Sequence, residues 1–233
     1  MPSITRADEI LMAFSHDIPP YIFEKQNNGI EIDVIAAALA YKGHTLKPLY
    51  FPLGRIPFAF TKKLVNAAMG DMGVDLKSQS GFYADPAVIY NNVFITLKSK
   101  AISIEKPSDL NQLTVVSFQG AERRYPKWLK KVKAENRFYG ISDQLTQVKL
   151  LSFGRYDVVL SDRYIFNYFV KQMKLKNEIK VPEFVEHKFT TSNPKDYRPV
   201  FRDKNIRDDF NMGLKILKET GDIKKIYDKY MKL

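Results

Sequence analysis

The sequence predicts an α/β fold in which buried strands end in polar loops, and two stretches support this prediction. Val65–Pro86 begins as an apolar run, meets glycines at Gly70 and Gly73, and continues with polar residues. A buried strand that breaks into a glycine-rich polar loop is how an open α/β sheet forms a ligand crevice at its strand ends. Glu9–Phe14 is a second apolar run, and it is followed by the loop Ser15–Tyr21. The length of 233 residues allows one large domain or two small lobes.

Composition excludes several kinds of site. Hydrophobic residues make up 45% of the chain and charged residues 27%, which is typical of a globular protein. The chain contains no cysteine, so disulfides and thiolate metal sites are excluded. The three histidines, His16, His44 and His187, are far apart in the sequence and form no close-spaced metal-binding motif. We therefore expect neither a bound metal nor a cofactor.

The formal net charge of +11 raises the question of nucleic acid or an anionic membrane surface as a partner. The lysines are spread along the chain, however, and the densest run, Lys127–Lys133, has helical spacing with Trp128, Leu129 and Val132 on one side. Such a run is usually a solvated helix face, and no zinc-finger or aromatic RNA-binding motif accompanies it. We predict that the protein does not bind nucleic acid.

The sequence contains no predicted membrane span, because no stretch approaches the roughly twenty apolar residues that a span needs. The first fifteen residues lack the basic and then apolar layout of a signal peptide. Either the protein is cytoplasmic, or a leader has been removed ahead of the present N-terminus.

The remaining elements follow from periodicity, turn signals and helix caps. Asn27–Gly29 is a hairpin turn signal, and an alanine-rich helix from Ile32 to about Tyr41 ends at Gly43. Arg55–Lys63 predicts a helix with Pro57 in its first turn. Further strands and helices are predicted at Thr45–Phe51, Asn91–Leu97, Leu113–Phe118, Gln144–Phe153, Tyr164–Met173, Lys180–Phe189, Tyr197–Asp203, Asn205–Leu217 and Gly221–Tyr230.

Several motifs follow one another along nearly the whole chain. They are the proline pair before Tyr21, the helix start around Asp33, the loop of Val65–Pro86, the strand Arg155–Asp162 and the closing helix Gly221–Tyr230. In this order they resemble the PPF, GFDVDLAKAIAKxLG, VDA-GM-FSxPY, GRVDAVLxD and GTYDKIYxKYF motifs of the family 3 extracellular solute-binding proteins. These proteins are the two-lobed binding components of polar amino acid ABC importers.

The resemblance implies a two-lobed, type II periplasmic binding protein-like fold, with a mixed sheet flanked by helices in each lobe. Lobe I would comprise residues 1–97 and 192–233, and lobe II residues 98–191, joined by crossing strands near Phe94–Lys98 and His187–Ser192. The implied function is that of a monomeric periplasmic binding protein, not an enzyme. It would trap a small polar, amine-bearing ligand between its lobes by hinge closure and serve an ABC transporter. This location favours a leader that has been removed.

Two residues match the positions at which the family holds the two ends of its ligand. Asp162 stands where the family's aspartate takes the ligand ammonium group, although an aspartate directly after a buried strand also caps the following helix. Lys77 stands where the family usually has an arginine for the ligand carboxylate, and a one-residue gap would shift the match to Ser78. Lysine offers a point charge without the planar fork of arginine.

Two further carboxylates are candidates with alternatives. Asp71 follows a predicted strand end, where it either faces the crevice or shapes the turn. Ala121 and Glu122 replace two hydroxyl residues that in relatives open a helix toward the ligand anion. Because Pro126 cannot lie deep inside a helix that starts at Ala121, we expect that helix to start nearer Arg124 or to be kinked.

The predicted loops also place Phe14, Tyr21 and Tyr83 near the crevice, where their rings are candidates to stack on a ligand or its cation. Three inward-facing carboxylates and one lysine would make the site more acidic than an ordinary α-amino acid site, which favours a cationic or amine-rich ligand. The missing arginine fork and hydroxyl groups predict weak or no binding of the standard amino acids.

Two other functions stay open at the level of sequence. Cyclohexadienyl dehydratases resemble this family, and Glu122 is the candidate acid or base for such chemistry. A ligand-sensing domain of a receptor kinase or cyclase would share the same motifs, and only residues beyond Leu233 of a longer protein would separate it from a transport protein.

Overall fold

The computed structural model describes residues 7–71, 74–176, 180–189 and 198–231. By the contacts among its residues the chain divides into two compact units. Unit 1 takes its described residues from 1–89 and 193–233, and unit 2 takes them from 90–192. In these described ranges, no helix has the length and apolar character needed to cross a membrane.

The strands and helices of the described residues are numbered in chain order. The strands are β1 (Glu9–Ser15), β2 (Thr45–Phe51), β3 (Ala67–Met69), β4 (Phe82–Tyr83), β5 (Asn92–Leu97), β6 (Val115–Ser117), β7 (Phe138–Gly140), β8 (Val158–Asp162), β9 (Phe184–His187) and β10 (Pro199–Phe201). The helices are α1 (Ile30–Ala40), α2 (Ile56–Thr61), α3 (Ala121–Arg124), α4 (Pro126–Ala134), α5 (Gln144–Ser152), α6 (Arg163–Lys176), α7 (Lys204–Glu219) and α8 (Asp222–Met231).

The sheet of unit 1 has the strand order β2-β1-β3-β10-β4. β1 is parallel to β2 and β3, whereas β10 runs antiparallel to its neighbours β3 and β4. Met69, the last residue of β3, pairs with Pro199, the first residue of β10. The residues that follow Met69 and the residue that precedes Pro199 are therefore brought to the same edge of this sheet.

Helices cover the unit 1 sheet by burying their apolar faces. On α2, Ile56, Ala59 and Phe60 join a buried cluster with sheet residues, including Ala68 and Val200. α1 packs closely against α7 at Gly213, whose position leaves almost no space beside the α1 backbone. The core of unit 1 therefore contains residues from both chain segments that form this unit.

The sheet of unit 2 has the order β7-β6-β8-β5-β9. β6 is parallel to β7 and β8, and β5 is antiparallel to β8 and β9. Along β5, Val93 and Ile95 enter one buried cluster and Phe94 enters another, as expected for alternate sides of a strand. Asn92, the first residue of β5, pairs with Asp162, the last residue of β8. The carboxyl ends of β6 and β8 therefore share a sheet edge with the start of β5.

Of the two predicted effects of Pro126, the interruption of the helix is confirmed, and the later start near Arg124 is wrong. The helix that begins at Ala121 ends at Arg124, and Tyr125 adopts a non-helical backbone with φ −119° and ψ 57°. A second helix, α4, then begins with Pro126 in its first turn, where the missing N–H costs nothing. The proline therefore divides one predicted helix into a single turn and a separate nine-residue helix.

The structure groups one predicted boundary segment differently. The sequence prediction ended lobe I at residue 97, but β5 hydrogen bonds on both sides to strands of the unit 2 sheet, so residues 90–97 belong to unit 2. The start of the second predicted crossing, His187, lies in β9, and residues 190–192 lie outside the described residues, as do Gly73 and Tyr197. β10, α7 and α8 belong to unit 1.

Candidate functional site

Asp162 lies at the carboxyl end of β8 in unit 2 and is only 3% exposed. Its Oδ1 accepts hydrogen bonds from the backbone N–H groups of Tyr164 and Ile165, at 2.9 and 3.1 Å, which caps α6. Its Oδ2 accepts a 2.6 Å hydrogen bond from the backbone N–H of Asn91. The structure therefore gives Asp162 the helix-cap role, and a carboxylate can still accept further hydrogen bonds beside these.

Other polar groups lie at the same edge of the unit 2 sheet, and the sequence had not identified them as site residues. The Asn92 amide donates to the Tyr125 hydroxyl at 2.9 Å, and the Arg124 Nε donates to the same hydroxyl at 3.3 Å. Asn92 is the direct strand partner of Asp162, and Tyr125 occupies the break between α3 and α4. Pro126 was the signal in the sequence, because the break that it imposes is what places Tyr125 at this edge.

Glu122 makes a contact within unit 2 that the sequence had not suggested. Its Oε1 accepts a hydrogen bond from the Lys133 ammonium group of α4, and its side chain is 11% exposed. Burial acts to raise the pKa of Glu122, but the Lys133 hydrogen bond and charge outweigh burial and hold the pKa below its usual value. The carboxylate is thus ionised and neutralised by a lysine, so it adds little net negative charge to the site.

In unit 1, two of the predicted site residues meet. The Tyr83 hydroxyl donates a 2.5 Å hydrogen bond to Asp71 Oδ2 and accepts one from the backbone N–H of Leu76 at 3.2 Å. Asp71 lies two residues after the end of β3, and Tyr83 ends β4. A tyrosine–carboxylate hydrogen bond therefore joins a residue just after β3 to the last residue of β4.

Burial, and then the hydrogen bond to Asp71, raise the pKa of Tyr83 to about 12. Because this folded-state pKa lies above the ordinary value near 10, the stability linked to the Tyr83 proton is complete below pH 10 and is lost as the pH rises toward 12. In an ultraviolet titration, we expect Asp71→Asn to shift one late phenolate transition toward pH 10 and Tyr83→Phe to remove it. A late transition of unchanged size in Tyr83→Phe would contradict this assignment, since Tyr50 and Tyr230, whose pKa values are also raised, would then account for it.

Arg198 is a candidate site residue that the sequence reasoning missed. It directly precedes β10, and its guanidinium carbon lies 4.9 Å from the centroid of the Tyr83 ring. The side chain is half-buried, and its Nε has no hydrogen-bond partner among the described residues. Only the antiparallel pairing of β10 with β3 and β4 brings this arginine to Tyr83, so no local sequence signal points to it.

The remaining predicted site residues, Lys77, Phe14 and Tyr21, also belong to unit 1. Lys77 starts a short 3₁₀ turn, is exposed, and has a backbone N–H that donates to Asp75 Oδ1 at 2.9 Å. Phe14 and Tyr21 are fully buried.

Two predicted loop positions are wrong. Phe14 lies in a strand, because β1 continues through it to Ser15. Tyr83 also lies in a strand, because it pairs with Val200 in β4.

The donor groups at the two sheet edges are of several chemical kinds. Within the described ranges, no group of three or more His, Asp or Glu side chains is arranged to hold a metal ion. Each unit instead brings mixed polar groups to the edge of its sheet: a carboxylate, an amide and a hydroxyl in unit 2, and a carboxylate, a hydroxyl and a guanidinium in unit 1. Such groups can hold both a positive and a negative end of a small molecule.

Solved structures similar to this chain share its fold. An ancestral arginine-binding protein bound to glutamine is 21% identical, with a TM-score of 0.69 over 95% of this chain and 97% of that one. A histidine kinase sensor domain with similarity to periplasmic binding proteins is 19% identical, with a TM-score of 0.73 over 96% of both chains. An ancestral amino acid-binding protein, a precursor of cyclohexadienyl dehydratase, is 18% identical, with a TM-score of 0.69 over 96% of this chain and 95% of that one.

The predicted fold class is confirmed: this is the two-lobed, type II solute-binding fold, with a mixed sheet flanked by helices in each lobe. No curated protein matches the sequence as a relative. The model of the bacterial extracellular solute-binding proteins, family 3, matches residues 10–233, and the chain therefore belongs to that family.

Proposed function

We propose that this protein is an extracytoplasmic solute-binding protein that captures a small polar ligand bearing an amine group for an ABC importer. The observation that carries the proposal is the match of the solute-binding family model to residues 10–233. The polar side chains at the sheet edges of both units support it, since ligands of open α/β sheets bind outside the carboxyl ends of the strands. We further propose a monomer in the periplasm, with lobes close to the predicted ranges.

The amine is assigned to the unit 2 edge, where Asp162 is buried and pairs with Asn92, whose amide donates to the Tyr125 hydroxyl. A carboxylate held by three backbone N–H groups is fixed in position, and an ionised carboxylate pairs well with an ammonium group. The Glu122–Lys133 pair makes this edge less acidic than the sequence suggested. One ammonium group therefore fits better than a polyamine.

Arg198 is assigned to an anionic end of the ligand. Its guanidinium offers the planar fork that Lys77 lacks, and stacking on Tyr83 reduces the freedom that it would lose on binding. This changes the expected ligand class. The sequence alone predicted weak or no binding of standard amino acids because the arginine fork and the hydroxyl groups are missing. Arg198 supplies an arginine and allows a ligand with both an amine and a carboxylate.

Matched pairs of compounds test this assignment. A thermal-shift screen would compare L-arginine with agmatine and L-lysine with cadaverine, which differ only in the carboxylate, together with L-glutamine. A true ligand stabilises the protein by about 2.7 kcal/mol at a hundredfold excess over Kd. For a carboxylate ligand we expect Arg198→Met to weaken binding by about 2–5 kcal/mol in titration calorimetry, and Lys77→Met by less than about 1 kcal/mol.

Equal binding of each compound and its decarboxylated partner would remove the anionic end from the proposal. A larger loss in Lys77→Met than in Arg198→Met would return the carboxylate to Lys77. Binding of none of these compounds, nor of any compound in a wider panel of amines and amino acids, would contradict the proposed ligand class.

A sensory domain is the second candidate, and the likeness to the histidine kinase sensor domain favours it. Both functions need the same ligand-binding step, so the full gene separates them: a kinase or cyclase domain encoded after Leu233 would assign sensing. We propose that the protein is not an enzyme. Recovery of an unchanged ligand by mass spectrometry after long incubation is the expected result, and its conversion would instead favour the dehydratase-like chemistry.

A further inference from the structure

The α2 region of unit 1 carries an unusual combination of exposed side chains. Leu53, Phe58 and Leu64 are 37%, 48% and 54% exposed, although most large hydrophobic residues of the unit are buried. Arg55, Lys62 and Lys63 are exposed in the same twelve-residue segment. We call these six residues the α2 surface. It combines apolar and cationic groups within one short segment.

Two of the three cations of the α2 surface lie beside its aromatic ring. The Arg55 guanidinium is 5.6 Å and the Lys62 ammonium 5.9 Å from the centroid of the Phe58 ring. Residues 55, 58 and 62 follow helical spacing, and the residues that α2 buries, such as Ile56 and Phe60, are on its other side. Phe58 and the two charges therefore share the solvent-facing side of the helix.

Among the residues that the structure describes, no carboxylate pairs with a cation of the α2 surface. The sequence contains no Asp or Glu between Asp33 and Asp71. Arg55, Lys62 and Lys63 form no ion pair with a carboxylate of the described residues. Even beneath α2 the packed charge is a cation, because the Arg202 guanidinium lies 4.2 Å from the centroid of the Phe60 ring. Cations therefore lie beside both the exposed ring of Phe58 and the buried ring of Phe60.

From these contacts we propose that the α2 surface binds membranes that carry anionic lipid headgroups. Cations that flank exposed apolar side chains are the pattern of segments that lie at a lipid interface, where the charges meet headgroups and the apolar groups enter the acyl boundary. This membrane contact is independent of ligand capture. It would hold an extracytoplasmic protein near the bilayer.

Other partners fit the α2 surface less well. Nucleic acid would use the three cations and stack on Phe58, but it would gain little from the aliphatic Leu53 and Leu64. A stable protein partner needs about 800 Å² from each side, whereas this surface is confined to one short segment. An anionic bilayer uses both the charges and the separate apolar side chains.

Vesicle sedimentation with the full chain tests the proposal. We expect the protein to bind vesicles of phosphatidylcholine with about one-third phosphatidylglycerol, not phosphatidylcholine alone, and to be released by added salt. The variant Arg55→Gln/Lys62→Gln/Lys63→Gln should bind about tenfold more weakly or worse. Phe58→Ser should also weaken binding while leaving the salt dependence intact.

Matched controls carry the same changes elsewhere. Lys127→Gln/Lys130→Gln/Lys174→Gln removes equal charge from exposed lysines of unit 2, and Phe153→Ser replaces a ring that is 60% exposed. Both should bind like the unchanged protein. An equal loss in the control lysine variant would overturn the proposal in favour of the overall positive charge. Absence of vesicle binding would also overturn it, as would binding to duplex DNA that is tighter than vesicle binding and depends on the same residues.

Discussion

Asp162→Ala is expected to lower the free energy of unfolding by about 3 kcal/mol or more in urea denaturation without ligand. The carboxylate accepts hydrogen bonds from three backbone N–H groups, at Asn91, Tyr164 and Ile165, and it is 3% exposed. Its removal leaves those donors without an acceptor, and each buried unpaired donor costs about 1–3 kcal/mol. Asp162→Asn should also destabilise, because its amide nitrogen would face a donor where a carboxylate oxygen now accepts.

A second helix cap provides the control for this prediction. Asp143 caps α5 by accepting hydrogen bonds from the Thr146 N–H at 3.2 Å and the Thr146 hydroxyl at 2.8 Å, and it is exposed. Asp143→Ala should cost only about 1 kcal/mol, as for an ordinary helix cap. If Asp162→Ala costs no more than this control, the three hydrogen bonds do not stabilise unit 2 as we infer. Titration calorimetry of the Asp162 variants with a ligand identified by screening would measure the binding role of Asp162 separately from its cap role.

Gly213→Ala is expected to destabilise the protein by about 3 kcal/mol or more, again by urea denaturation. A Cβ atom at position 213 would lie 2.0 Å from the backbone oxygen of Ala38 and 2.8 Å from its carbonyl carbon. Both are backbone atoms of α1, so no side-chain rotation relieves the clash and α7 would have to move away. Overpacking a well-packed core usually costs 1–3 kcal/mol and sometimes more, and this contact is closer than van der Waals distance.

Gly54→Ala is the matched control for Gly213→Ala. Nothing lies within 4 Å of a Cβ atom built at Gly54, and its backbone does not require glycine. The control should stay within about 0.5 kcal/mol of the unchanged protein. A small effect at both glycines would mean that α1 and α7 are packed less tightly in solution than the geometry indicates.

The sequence determined the local structure because strand and helix periods, prolines and glycines act over a few neighbouring residues. The apolar run Glu9–Phe14 is most of β1, Pro57 lies in the first turn of α2, and Pro126 ends one helix and begins another. Family membership also followed from the sequence, since the order of its motifs requires no knowledge of their contacts. The placement of Asp162 at a strand end was predictable for the same reason.

Only the tertiary structure decided which side chains meet. Arg198 reaches Tyr83, 115 positions earlier in the chain, because β10 pairs antiparallel with β3 and β4. Glu122 is neutralised by Lys133, which lies on α4, the separate helix that begins at Pro126 after the break at Tyr125. Such contacts depend on strand order and helix direction, which residue periodicity does not encode. The charge balance of the candidate site is therefore a property of the tertiary structure, whereas the positions of its strands and turns are properties of the sequence.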